Sequence, residues 1–167
     1  MIALIPGSFD PITLGHVDII ERTAGKFDKV VVAVMNNDSA KHDKTLSSKT
    51  YLFDMDTRLE LVRLSVEHIK NVEVISSGGM LIDLFDEVGA DVIVKGVRNG
   101  ADLEYEMKHA KWNKAHNARV ETLFLPADES LVSVSSTAVR ELLNQDNYDG
   151  LAAVLSDKAI KYLEKNK

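Results

Sequence analysis

Cysteine is absent from the 167 residues, which excludes a disulfide scaffold, a thiolate metal site and cysteine nucleophile chemistry together. The reducing cytosol is the compartment such a chain suits. The N-terminus lacks a basic n-region: Met1, Ile2, Ala3, Leu4 and Ile5 run into Pro6 and Gly7, too soon for a signal peptide or a membrane span. Positive charge is in deficit too. A formal net charge of −6 argues against broad electrostatic binding to nucleic acid, although a small anionic ligand needs only a few local cations.

Several motifs are missing as well. Nothing matches G-x-x-x-x-G-K-[ST], and no G-x-G-x-x-G follows the first apolar run, so kinase and dehydrogenase readings lose their basis. His16, His42, His68, His109 and His116 show no H-E-x-x-H or comparable spacing, and no protein-held metal is expected.

What is present is ordinary globular material, 45% hydrophobic and 28% charged, of a size that suits one compact domain across 1–167. Short apolar runs at 2–5, 30–35, 72–75, 92–94 and 120–125 read as strands. Between them lie helical stretches: one opened near Gly15-His16 and closed by Gly25, and one behind Asp54 carrying Leu59, Val62, Val66 and Ile69. A third holds Leu81, Leu84, Phe85 and Val88 and ends at Gly89; further helices are expected at 102–116, 136–144 and 157–164. This alternation predicts an α/β fold, a doubly wound five-stranded parallel sheet of Rossmann-like type. With the order 3-2-1-4-5, the loops leaving the first and fourth strands flank the ligand crevice. The polar stretch 38–51, with Lys41, Lys44 and Lys49, is longer than a usual connection and reads either as a solvated loop or as a lid over the site.

After the first strand, Gly7-Ser8-Phe9-Asp10-Pro11 leads to Gly15-His16 at a helix start. Unpaired N–H groups and the positive dipole end make such a start a phosphate site, to which His16 can donate a hydrogen bond and which Gly15 lets approach closely. Ser8 can hold a second phosphate oxygen. A βα turn beside a surface histidine would be the bland reading, but Lys95-Gly96-Val97-Arg98 adds two cations and a glycine in the companion position of the same crevice. Asp102 and Glu106, spaced i to i+4, can accept from ribose or adenine, or simply favour the helix dipole. Ser135, Ser136 and Thr137 begin another helix, where hydroxyls serve as caps or form a second cradle for the β- and γ-phosphates of ATP.

Taken together, these motifs, with the Asp102-Leu103-Glu104-Tyr105-Glu106 stretch and Asn113 beyond it, resemble the bacterial phosphopantetheine adenylyltransferases over nearly the whole chain. The resemblance implies transfer of AMP from ATP to 4′-phosphopantetheine, giving dephospho-coenzyme A and pyrophosphate, with Mg2+, in a cytoplasmic homohexamer. It implies that His16, Lys41 and Arg98 are catalytic, His16 by stabilising the transition state. ATP would be bound by Ser8, Phe9, Gly15, His16, Gly96, Val97, Arg98, Asp102, Glu106, Leu131, Val132, Ser133, Val134, Ser135, Ser136 and Thr137. The acceptor would be bound by Ser8, Lys41, Leu81, Lys95, Asn113 and Glu141. Lys95 stands where the family usually has arginine, and Lys41, with Lys44 as the alternative, stands in for the lysine that holds the acceptor phosphate. Rivals are a nucleotidyltransferase using nicotinamide mononucleotide or glycerol 3-phosphate, and a non-catalytic ATP-binding module; a truncated class I aminoacyl-tRNA synthetase would lack its tRNA-binding part.

Overall fold

The computed structural model describes residues 1–36 and 50–166. Five strands, β1 (Ile2–Gly7), β2 (Lys29–Met35), β3 (Val72–Ser77), β4 (Val92–Val97) and β5 (Thr122–Pro126), form one parallel sheet in the order β3-β2-β1-β4-β5. The expected fold class and strand order are those observed.

The helices among the described residues are α1 (Leu14–Ala24), α2 (Met55–Val66), α3 (Leu81–Glu87), α4 (Gly100–His116), α5 (Ser136–Asn144) and α6 (Asp157–Lys165). Because successive strand residues face opposite ways, strands β1 to β4 feed two cores. Ala3, Ile5, Val30, Val32, Val34, Val92 and Val94 pack against apolar residues of α1, α2, α5 and α6. Leu4, Val31, Ala33 and Ile93 pack on the other face against Leu84 and Phe85 of α3. Each buried Val, Leu or Ile side chain contributes about 1.5–3 kcal/mol relative to exposure, so the nearly all-apolar β1 and β2 fix the centre of the sheet.

Several boundaries differ from the sequence expectation, each for a local reason. β4 runs on through Lys95, Gly96 and Val97, which pair with Phe124, Leu125 and Pro126 of β5; they are strand, not loop. β5 starts later than position 120, because Val120 N–H closes a turn onto the Asn117 carbonyl at 3.0 Å. Asp54 caps α2, accepting from Thr57 N–H at 2.8 Å, but the helix stops at Val66 and Ile69 lies in the turn beyond it. α1 starts at Leu14, capped by Thr13, and its closing Gly25 stays right-handed at φ −71°. Gly89, after α3, is left-handed at φ 63°, where a side chain would cost about 1 kcal/mol or more. Among the described residues, no helix is long and apolar enough to cross a membrane.

β1 and β4 lie side by side, and α1 and α4 leave their C-terminal ends. That is the switch point of the sheet, where ligands of this architecture bind.

Candidate active site

The first wall is the turn between β1 and α1. Phe9 adopts φ 45°, an unusual conformation for an aromatic residue that costs about 1–2 kcal/mol. It drives the ring inward, 3% exposed, edge-on to His16 with centroids 5.2 Å apart. Gly7 is required by this fold of the turn: a Cβ there would meet the Phe9 ring at 2.8 Å. Asp10, 1% exposed, accepts from the backbone N–H groups of Leu52 and Phe53, both at 2.9 Å.

Thr13 then fixes His16. Its backbone N–H donates to Nδ1 at 3.0 Å, and its Oγ1 lies 2.9 Å from the same nitrogen. An N–H donor needs the Nδ1 lone pair, so the proton of the neutral imidazole sits on Nε2.

The second wall comes from β4 and α4. Gly96 approaches α1 so closely that a Cβ would meet Ile19 at 2.9 Å. Arg98 donates to Asp102 through Nε at 2.8 Å and Nη2 at 3.3 Å, and its backbone N–H adds a third bond at 3.2 Å. These hydrogen bonds from Arg98 hold the Asp102 carboxyl below the usual range. Lys95 Nζ lies 3.2 Å from Glu106. Asp102 and Glu106 do share one helical side, and in this state both serve the cations.

The third wall is the start of α5. Ser135 caps it, accepting from Ala138 N–H at 3.1 Å, while Ser136 donates to the Pro11 carbonyl at 2.8 Å and ties this helix to the first turn. Arg140 donates to the Asp10 carbonyl at 2.7 Å and to Thr137 Oγ1 at 2.9 Å. Two helix N-termini therefore face one crevice of about 350 Å³. Together with Arg98 and Arg140 they supply the N–H donors and positive charge that a chain of phosphates would need. An open depression of about 360 Å³ between α2 and β3, lined by Arg63, Glu67, Lys70 and apolar neighbours, has no helix N-terminus aimed into it.

Of the residues named from sequence, Gly15, His16, Gly96, Arg98, Asp102, Glu106, Leu131, Val134, Ser135, Ser136 and Thr137 line the crevice. Phe9 is buried behind His16, and Ser8, Val97, Val132 and Ser133 flank the lining segments in sequence. Lys95 is held by Glu106. Leu81 packs against the α3 core, Asn113 is the single buried residue of α4, and Glu141 is exposed on α5; none of these three is part of the crevice wall. Lys41 and Lys44, and most of the 38–51 stretch, lie outside the described residues.

Sequence reasoning missed Thr13, Ile19, Tyr105, Ala127 and Arg140 of the lining, and Asp10 behind it. Arg140 carried a signal, since it follows Thr137 by three residues on a helix and so shares its face. Among the described residues, no cluster of three or more histidines and carboxylates could hold a metal ion.

Residues 4–142 match the family model described as cytidylyltransferase-like. A phosphopantetheine adenylyltransferase of Staphylococcus haemolyticus is 43% identical over 140 residues, covering 84% of this chain and 81% of that protein. A structure from Vibrio parahaemolyticus, solved under the name of nicotinate-nucleotide adenylyltransferase, superposes with a TM-score of 0.68 at 20% identity over 97% of each chain. A lipopolysaccharide core biosynthesis protein from Thermoplasma volcanium gives a TM-score of 0.50 at 25% identity, over 77% of this chain and 96% of that one.

Proposed function

The chain belongs to the phosphopantetheine adenylyltransferases, within the cytidylyltransferase-like family of nucleotidyltransferases, and we propose that its crevice performs their reaction. AMP passes from ATP to 4′-phosphopantetheine, giving dephospho-coenzyme A and pyrophosphate, a late step of coenzyme A synthesis. The observation that carries this reading is the convergence of the α1 and α5 N-termini, with His16, Arg98 and Arg140, on one crevice.

The acceptor phosphate has a second pKa of about 6 and is largely a dianion at neutral pH, so it needs no general base. One of its oxygens forms the new bond to the α-phosphorus as the bond to the β-phosphate oxygen breaks, and pyrophosphate leaves. The protein aligns the two phosphates and stabilises the charge that develops. His16, held through Nδ1, donates from Nε2 to an α-phosphoryl oxygen. Arg98, Arg140 and the α5 N-terminus, with Ser135, Ser136 and Thr137, hold the β- and γ-phosphates. Gly96, Val97, Asp102 and Glu106 accommodate the nucleoside side, while Lys95 and Lys41 serve the acceptor.

Magnesium fits as the partner of the triphosphate rather than of a protein cage, since such ions keep several waters and bind largely through substrate phosphates. Bound with the triphosphate, it would neutralise part of the phosphate charge. We also place the enzyme in the cytoplasm, as the cysteine-free composition suggests. A homohexamer is proposed as the working form; α4 supports self-association, because Met107 and Trp112 are 40% and 42% exposed on it.

The test is isotopic. With ATP labelled at the α-phosphorus, label should appear in dephospho-coenzyme A and none in pyrophosphate; label retained in ATP alone would overturn the reading.

A further inference from the structure

Arg58 is 2% exposed and occupies the apolar stripe of α2, beside buried Leu61, Val62, Ser65 and Val66. No carboxylate of the described residues is within ion-pair distance of it, and its Nε has no hydrogen-bond partner among them. Burying such a cation is costly, and an apolar side chain would fill the same space without that cost. Packing alone does not account for the residue.

Its remaining bonds show what it holds. Nη1 donates to the Ser8 carbonyl at 2.7 Å and to the Met35 carbonyl at 3.5 Å, and Nη2 donates to Asn36 Oδ1 at 2.6 Å. The guanidinium is stacked over Tyr51, 4.3 Å from the ring centroid. All three acceptors sit at the C-terminal ends of β1 and β2. Asp10 answers in the other direction, accepting from Leu52 and Phe53 just before α2. The turn after β1 and the start of α2 thus clasp each other through both a carboxylate and a guanidinium.

The Ser8–Phe9 peptide is trans, so its carbonyl and N–H point in opposite directions. Gripping the Ser8 oxygen therefore sets the Phe9 N–H on the side away from the guanidinium. Phe9 is also the residue whose φ of 45° is strained, and strain of this kind persists where the surroundings over-determine it. We propose that Arg58 is a positioning residue: through the Ser8 carbonyl it orients the Phe9 backbone N–H as a hydrogen-bond donor to a phosphoryl oxygen of the nucleotide.

This rests on the proposed adenylyl transfer only in naming the nucleotide as ligand, and the test separates the two. ATP affinity is measured by calorimetry, without acceptor, for the full chain and for Arg58→Lys and Arg58→Met; turnover is measured alongside. Arg58→Lys keeps the charge and reaches fewer of the three acceptors, so it should weaken ATP binding about tenfold, the worth of one charge-assisted hydrogen bond. The KM for 4′-phosphopantetheine should stay within about twofold of wild type, a tenfold change being the size of one such bond. Arg58→Met should bind ATP more weakly still. Should it fail to fold by circular dichroism, the Lys variant decides. Wild-type ATP affinity in the folded Lys variant, with activity lost only in proportion to the unfolded fraction, would overturn the positioning role. Absence of transfer by wild type would overturn the enzyme reading and leave the affinity comparison to judge Arg58.

Discussion

Thr13 and His16 form a closed pair at the start of α1: the Thr13 N–H donates to His16 Nδ1 at 3.0 Å, with Thr13 Oγ1 2.9 Å from the same atom. The helix cap thereby sets the tautomer of a ring that lines the crevice, and a single turn of backbone does two jobs. His16→Ala removes one transition-state donor and should lower turnover by a few hundredfold, the usual cost of such a loss, with the circular dichroism spectrum unchanged. Steady-state kinetics check this, and unaltered turnover would contradict the assigned role.

Arg98 is held side-on by Asp102, which directs the rest of its guanidinium toward the crevice. Arg98→Ala should weaken ATP binding by about 1.5–3 kcal/mol, the value of a hydrogen bond to a charged group. Equilibrium dialysis with ATP in the absence of acceptor measures it directly. Unchanged affinity would remove Arg98 from the phosphate site.

The same pair sets an acid limit on stability. The Asp102 carboxyl titrates below its ordinary value because of the hydrogen bonds from Arg98. Its contribution is therefore fully present above the unfolded value of about 3.9 and is lost as pH falls through the lower folded value. Asp102→Asn should flatten the acid end of the stability profile, read from urea midpoints between about pH 7 and pH 2. An unchanged acid slope in the variant would argue that the pair does not persist in solution.

Asp10 is a structural hub rather than a ligand. Asp10→Ala strands the N–H groups of Leu52 and Phe53 and should cost about 2–3 kcal/mol of stability. Chemical denaturation gives the number; a loss under about 0.5 kcal/mol, the range of ordinary surface changes, would show that water replaces the carboxylate without penalty.

Gly7→Ala brings a Cβ to within 2.8 Å of the Phe9 ring. The ring lies between β1 and His16 and has little room to yield, so overpacking of about 1–3 kcal/mol is expected, together with a fall in turnover as His16 is displaced. Thermal unfolding and turnover, measured on one preparation, should move together.

Much of the crevice was legible from sequence because its chemistry is local. A strand followed by Gly15-His16, and hydroxyls ahead of α5, mark two helix N-termini, and such termini present free N–H groups and a positive dipole end suited to anions. What was not legible depends on tertiary approach. Arg140 reaches back to the Asp10 carbonyl across the fold, and Ser136 to that of Pro11; no periodicity encodes those distances. Arg58 did leave a trace, a charged residue on the apolar stripe of α2, yet only the burial shows that it turns inward. Lys95, Gly96 and Val97 read as loop from sequence because β4 loses its apolar run before it loses its pairing with β5. Leu81, Asn113 and Glu141 are pointed to by the family resemblance alone, since no helix-terminus or crevice signal in the sequence marks them, and none of them lines the crevice.

The central claim is adenylyl transfer to 4′-phosphopantetheine, and the most direct test is pyrophosphate release from ATP and Mg2+ with three acceptors in parallel. The account predicts release with 4′-phosphopantetheine and none above background with nicotinamide mononucleotide or glycerol 3-phosphate. Release with either of those instead, or tight ATP binding with no release from any acceptor, would contradict it.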